Sequence, residues 1–314
     1  MPELILVIGL PGSGKSTWVR NNFLYDRLYR GGITMLSSDD VRKQLFKDEN
    51  DQTHNEEVFQ YIKDTAVSKL ELGHKVIIDA TNLTRKSRKA ITDYVEQKIS
   101  GFYDFGYIRF VVIATPYFKC LENNRKRSRQ VPEEVITRMY KYFEFPTYIE
   151  TVHKIDIVYP FKIDKELYGA NPAYKILEDY PHETPYHKMT VGHHMEETYN
   201  VMKVMSNNRV MLSAAELHDI GKPFCKQYIE EENGTKRARF LNHANVGSYE
   251  AMFYAKQRKF TAEETYELCN LIQFHMRPYD LEDNDKSILK LKNTIGEKLY
   301  YKLLMLNIAD KEGH

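Results

Sequence analysis

Cysteine is scarce. Cys120, Cys225 and Cys269 are the only three in 314 residues, and no two form a C-x-x-C pair. That excludes a disulfide framework and fits a reducing compartment. Long apolar runs are missing as well. None approaches the roughly 18–20 residues needed to cross a bilayer. The chain enters its first strand without a basic stretch ahead of a longer apolar one, so no secretory leader is read. The expectation is a soluble, cytoplasmic chain. An excess of one charge is also absent: 45 Lys and Arg stand against 44 Asp and Glu, a net charge of +1. This excludes a general pull towards nucleic acid and leaves any such binding to local patches. Internal repeats and low-complexity tracts do not occur.

What is present suits two domains. The length is large for one core, and 42% hydrophobic residues suffice for packed interiors. Apolar runs at Leu4–Gly9, within "GGITMLSSDD", at Lys75–Asp79 and at Ile108–Thr115 read as strands. Helical patterns at Ser16–Leu24, at Val41–Phe46 and after "TNLTRKS" alternate with them. Fully apolar strands between helices predict an α/β domain, a parallel sheet covered on both faces. "KIDIVYPF" is the last strand-like run, and a stretch with Gly and several Pro follows. Helical spacing then dominates: Thr190–Met205, Met211–Leu217, Ala244–Gln257, Ala262–Phe274 and Ile295–Ile308. Nine of eleven histidines lie beyond residue 150. The division expected is an α/β domain over 1–165 and an all-α domain over 166–314.

"GLPGSGKS", Gly9–Ser16, fits G-x-x-x-x-G-K-[ST] between a strand and a helix. Gly9, Gly12 and Gly14 let backbone N–H groups, Ser13 included, turn towards phosphate oxygens, and the helix start adds positive partial charge. Lys15 is expected on the β/γ-phosphates, Ser16 on Mg²⁺, and Thr17 beside it. "SSDDVR" puts Asp39, Asp40 and Arg42 at the C-terminal sheet edge, where ligands of such sheets sit. One aspartate can take the proton of an attacking hydroxyl, and the other can cap the helix. Arg125, Arg127 and Arg129 in "ENNRKRSRQVPEEVI" suit a lid over polyphosphate, or a solvated basic face. "RMYKYFEFPTY" reads as core first and as a base-stacking surface second.

"IGLPGSGKSTW", "SSDDVR", "IDATN" and the arginine run ending in "VP" together resemble the phage and bacterial polynucleotide 5′-hydroxyl kinases, over about the first 160 residues. The resemblance implies ATP or another NTP with Mg²⁺ as donor. It makes Asp39 the general base on a 5′-OH and puts Arg42 on the acceptor's 3′-side phosphate. Thr81 then helps place the acceptor, and Arg125 and Arg129 clamp the donor phosphates. The spacing of the arginines to "VP" is tight, so the choice among them stays open. Asp79 can also be read as a Mg²⁺ carboxylate.

The C-terminal half carries His or Asp on five separate segments: "TVGHHMEETYNV", "AELHDIGK", "FLNHANVGS", "IQFHMRP" and "LNIADKEG". Helices of a bundle can converge such ligands, and imidazole with carboxylate suits Mn, Fe, Co, Ni or Zn over Ca. His218 and Asp219 are adjacent, about 100° apart on an ideal helix, and can share an ion only from a helix end or edge.

The order H…HD…H…H…D resembles the HD phosphohydrolase superfamily, from about Tyr186 onward. The resemblance implies His194 (with His193 as competitor), His218, Asp219 and Asp310 as primary ligands. It gives His243 and His275 to a second metal and sets Lys222 before a substrate phosphate. Asp219 and Lys222 then belong to the catalytic set. A kinase of this kind fused to an HD phosphohydrolase implies a two-headed enzyme that heals RNA strand ends, possible on DNA too. It would phosphorylate a 5′-OH and hydrolyse a 2′,3′-cyclic, 2′- or 3′-phosphate, with a separate RNA ligase downstream and no membrane partner. Two other readings stand beside it. One is a small-molecule or nucleoside kinase fused to an HD nucleotidase; the other replaces the nucleotidase with a non-catalytic nucleotide sensor.

Overall fold

The apolar strands of the first half assemble into one parallel sheet. In a computed structural model, which describes residues 1–29, 31–49, 51–150, 152–162, 168, 173–184, 188–231, 234–281 and 285–313, its five strands run in the order β2-β3-β1-β4-β5. They are β1 (Glu3–Ile8), β2 (Ile33–Ser37), β3 (Lys75–Asp79), β4 (Tyr107–Ile113) and β5 (Lys154–Val158). Central β1 is flanked in register by β3 and β4, with Ile5 opposite Ile77 on one side and Arg109 on the other. Leu4 to Ile8 are fully buried, as a strand covered on both faces requires. One core gathers Ile5, Val7, Ile77, Val111 and Ile113 with Val19 and Phe23 of the helix Lys15–Tyr29.

The helix Asn55–Glu71, which the sequence reading passes over, buries Val58, Ile62, Ala66 and Leu70 at four-residue intervals. Thr84 caps the helix Arg85–Lys98 by accepting from the Ser87 N–H. Its Arg88 is fully buried and pairs two-pronged with Glu150, at 2.6 and 3.0 Å, while donating to the carbonyls of Asn82 and Leu83.

The C-terminal half is helical. Val191–Met205 packs on Arg209–Leu217 and on Glu297–Glu312, and His243–Gln257 packs on Ala262–Phe274. A further helix, Asp285–Ile295, precedes the last one. A two-stranded hairpin, Gln227–Glu230 against Lys236–Arg239, interrupts the helices.

The chain forms two compact units, and their division is not a single cut. One unit holds Met1–Ile136 and Tyr148–Phe161, the other Thr137–Thr147 and Lys162–His314. The expected boundary at 165/166, and Tyr186 where the second resemblance begins, lie outside the described residues. The aromatic run is mainly core of the second unit. Tyr140, Phe143 and Phe145 are buried, and Tyr249 meets the rings of Tyr140 and Phe143 edge to face. Gln273 accepts from the N–H of Phe145 and donates to its carbonyl. Tyr142 and Tyr148 are exposed.

Candidate functional site

Gly9–Ser16 joins β1 to the helix Lys15–Tyr29. Gly12 has φ +79°, and a Cβ there would lie 2.2 Å from the Cys120 carbonyl oxygen, so only glycine lets the loop sit this close to its neighbour. Asn123 Nδ2 donates to the Gly12 carbonyl at 2.9 Å, and Thr115 Oγ1 donates to that of Ser13 at 2.7 Å. "IDATN" pins the other side. The Gly9 N–H donates to the Thr81 carbonyl at 3.1 Å, and Asn82 Nδ2 donates to that of Val7 at 2.8 Å. Lys15 Nζ rests on the Leu10 carbonyl at 2.8 Å. Burial lowers its pKa; Asp79, at the end of β3, opposes this, and the Arg127 charge adds to it. Ser16 is half-buried and Thr17 exposed.

Ser37 caps the helix Ser38–Phe46 by accepting from the Asp40 N–H. That leaves the two aspartates unequal. Asp40 is exposed, whereas Asp39 takes two arginines: Arg42 at 3.1 Å on Oδ1 and Arg129 at 2.6 Å on Oδ2. Arg42 is buried, gives a second bond to Asn55 Oδ1 at 2.6 Å, and has no acceptor for its Nε among the described residues. A buried donor left over beside a shared carboxylate suits an anionic ligand. Arg125 is instead held on Glu133 at 2.5 and 3.0 Å and is largely exposed. Of the three clustered arginines, Arg129 is thus the one on Asp39, and Arg127 is the one whose charge reaches Lys15.

In the second unit five helix ends meet, one of them the end of Glu297–Glu312 that carries Asp310. Thr190 caps the helix that carries His194, accepting from the His193 N–H; His193 is exposed and His194 buried. His218 caps the C-terminus of Arg209–Leu217, and Asp219 follows in the turn. His243 opens one helix and His275 ends another. A Cβ on Gly221 would lie 2.1 Å from the His243 carbonyl oxygen, so glycine lets this turn press on that helix start.

His194 Nε2 lies 3.1 Å from His218 Nε2, 3.6 Å from Asp219 Oδ2 and 3.0 Å from Asp310 Oδ1. His218 Nε2 is 3.3 and 3.5 Å from the same two oxygens. The other oxygen of Asp219 faces a second group: His243 Nε2 at 3.2 Å and His275 Nε2 at 3.8 Å, themselves 3.1 Å apart. Asp219 therefore belongs to two triads, His194–His218–Asp219 and Asp219–His243–His275, all buried.

The Nδ1 atoms fix the chemistry. Each faces a backbone carbonyl, which can only accept: Gly313 for His194, Ala215 for His218, Phe240 for His243 and Ile272 for His275. Each Nδ1 thus carries a hydrogen, so the atom each ring offers to the centre is Nε2, a lone pair whenever the ring is neutral. Two Nε2 lone pairs 3.1 Å apart repel unless a metal ion or a proton lies between them. Ligands about 2.0–2.2 Å from one ion, at tetrahedral or octahedral angles, are separated by about 2.9–3.5 Å, close to the spacings found. The residues fit one or two transition-metal ions. The field agrees. Burial opposes charge on His218, yet Asp219 and Asp310 outweigh it and raise its pKa to about 10. Burial also disfavours the charge on Asp310, but His218 and His194 hold its carboxyl well below the usual range.

Two residues escape the sequence reading. Tyr279, four places after His275, donates to Asp310 Oδ2 at 2.9 Å. His182 meets Lys222 Nζ at 2.8 Å, and Lys222 pairs with Asp219 Oδ2 at 2.5 Å. A histidine or tyrosine outside the H…HD…H…H…D order gives no spacing signal of its own. Arg88 and Glu150 were missed for a similar reason, lying 62 residues apart. No helix among the described residues is long and apolar enough to cross a membrane.

Residues 4–146 match the AAA domain family and residues 187–307 the HD domain family. The chain is 26% identical over 158 residues to a protein of Autographa californica nuclear polyhedrosis virus provisionally named bifunctional polynucleotide kinase/RNA ligase; 45% of this chain and 21% of that protein are covered. It is 30% identical over 175 residues to one of Acanthamoeba polyphaga mimivirus provisionally named bifunctional polynucleotide phosphatase/kinase, covering 52% of this chain and 35% of that protein. It thus spans well under half the length of either relative. Among solved structures, one of a Pnkp1/Rnl/Hen1 RNA repair complex matches at 25% identity, with a TM-score of 0.36, over 44% of this chain and 42% of that one.

Proposed function

We propose that this chain, which joins an AAA-type P-loop domain to an HD domain, is an RNA end-healing enzyme with two active sites. The first transfers phosphate from ATP to a 5′-OH. The second hydrolyses a cyclic or terminal phosphate at the 2′,3′ end, and a separate RNA ligase seals the product in the cytoplasm. The observation that carries this reading is the pairing, on one chain, of a P-loop whose neighbouring sheet edge holds Asp39 between two arginines and a buried centre bridged by Asp219. The names of both viral relatives include a polynucleotide kinase, and that of the mimivirus protein pairs it with a phosphatase, which supports this reading.

In the kinase the glycine loop and Lys15 bind the donor phosphates, and Ser16 with Asp79 would hold Mg²⁺. Asp39 accepts the proton of the attacking hydroxyl. Arg42, buried with a spare Nε donor, receives a phosphate of the acceptor strand, and Thr81 borders it. Arg129, on Asp39 here, and Arg127, whose charge reaches Lys15, cover the donor; Arg125 takes that part only by leaving Glu133. In the HD domain His194, His218, Asp219 and Asp310 would hold one ion, and Asp219, His243 and His275 could take a second. When bound, such ions supply an ionised water and a positive field at the scissile phosphate. The carbonyls behind the four rings keep the Nε2 lone pairs aimed. Lys222 gives the phosphate a fixed positive charge.

Two variants test the assignment. Asp39→Asn should abolish phosphorylation of a 5′-OH RNA while Asp40→Asn retains it. Asp219→Asn should lose bound metal and 3′-end hydrolysis and leave the kinase intact. Full kinase activity in Asp39→Asn would refute the first role, and unchanged hydrolysis in Asp219→Asn the second.

A further inference from the structure

His182 lies outside the six residues of the metal centre, yet it is buried against it. Its hydrogen bonds leave one tautomer. Nδ1 is 2.8 Å from the Met189 carbonyl, which only accepts, so Nδ1 carries the hydrogen. Nε2 is 2.8 Å from Lys222 Nζ, an ammonium that only donates, so Nε2 is a lone pair. Lys222 is buried too, and its nitrogen also meets Asp219 Oδ2 at 2.5 Å and stands 5.6 Å from the centre of the Phe240 ring. An ammonium has three N–H donors. Asp219 and His182 take two, and no third acceptor lies on Lys222 among the described residues.

We infer that His182 is a positioning residue for Lys222: its imidazole, locked by the Met189 carbonyl, holds the ammonium so that the remaining N–H points to a phosphate oxygen of the substrate. This rests on the reading of Lys222 as the phosphate-binding cation of the HD site. An aliphatic amine on four rotatable bonds does not orient itself, and in the metal centre a carboxylate alone would draw it onto Asp219. The second acceptor fixes both direction and reach. His182 touches neither metal ligand set through its nitrogens, so its removal should spare metal binding.

The test is a double-mutant cycle on binding. Full-length protein loaded with Mn²⁺ is titrated calorimetrically with inorganic phosphate, and metal per chain is measured on the same samples. His182→Gln, which keeps an acceptor, should stay within about threefold of wild type, and His182→Leu should weaken phosphate about tenfold. Lys222→Met should weaken it at least as much, and His182→Leu added to Lys222→Met should change nothing further. Metal content should be equal throughout. His182→Met replaces the leucine variant where leucine does not fold. The inference is overturned if the loss from His182→Leu is the same in the Lys222→Met background, if it vanishes in the wild-type background, if metal leaves with it, or if wild type binds no phosphate. Because the cycle reads binding alone, a wild type that binds phosphate but hydrolyses no RNA end removes the hydrolase reading and leaves this one standing.

Discussion

Tyr279 donates its hydroxyl to one oxygen of Asp310 while the other oxygen faces His194 and His218. Outer contacts of this kind orient a ligand, and losing one costs about 10–100-fold in metal affinity or activity. Tyr279→Phe should show a loss of that size in metal affinity, read by competition with a chelator, at unchanged thermal stability. Wild-type affinity would make the bond incidental. Glu250 offers a second test. It is buried under the hydroxyls of Tyr140, at 2.5 Å, and Tyr168, at 3.0 Å. Burial pushes its carboxyl up to about 7, against the pull of those hydrogen bonds. A folded-state pKa above the unfolded value of 4.5 means stability that is complete below about 4.5 and lost as pH rises through about 7. Glu250→Gln does not titrate, so its unfolding midpoint should gain on wild type from about pH 5 to about pH 8. A constant difference across that range would contradict this.

Single residues were legible where a motif constrains them. The cap at Thr190 and the register of Val191, Met195 and Met202 turn His194 inward and His193 out, as the apolar spacing suggests. Asp39 and Asp40 are alike in local pattern and only the resemblance singled out Asp39; their surroundings differ because the fold brings Arg129, 90 positions away, onto Asp39. Tyr279, His182 and the spare Nε of Arg42 are likewise products of tertiary packing.

Among elements, the parallel strands and the capped helices were readable because apolar runs and caps are local signals. The helix Asn55–Glu71 was not read, since it buries only about one residue per turn, Val58, Ile62, Ala66 and Leu70. The hairpin at Gln227–Arg239 is short and mostly polar, so it has no alternating apolar face to announce it. The tie between Arg88 and Glu150 acts at this scale. It joins the helix Arg85–Lys98 to the turn Tyr148–Glu150, and Arg88 also holds the carbonyls of Asn82 and Leu83, next to Thr81. Glu150→Ala leaves a buried guanidinium unpaired, which costs about 3–5 kcal/mol. Denaturant unfolding should register that loss, and the kinase should suffer more than the phosphate hydrolysis. A loss below about 1 kcal/mol would mean that water reaches Arg88.

At the scale of the whole molecule the sequence indicated two halves of different class, and the chain indeed passes from a parallel sheet to helices. It did not indicate that Thr137–Thr147 belongs to the second unit before the chain returns to complete the sheet with β5. Such an exchange leaves no mark in composition: Tyr140, Phe143 and Phe145 look the same in either core. The near-zero net charge is consistent with gripping strand ends through a few fixed cations, Arg42, Arg129 and Lys222. The central claim, that one chain treats both ends of a broken strand at two independent centres, has a direct test. A short RNA with a 5′-OH and a 2′,3′-cyclic phosphate is incubated with ATP, Mg²⁺ and Mn²⁺, and the mass of each end is followed for wild type, Asp39→Asn and Asp219→Asn. The account predicts that wild type adds phosphate at the 5′ end and opens or removes it at the other, and that each variant loses one change and keeps its partner. A 3′ end untouched by wild type, or a single variant that abolishes both changes, would contradict it.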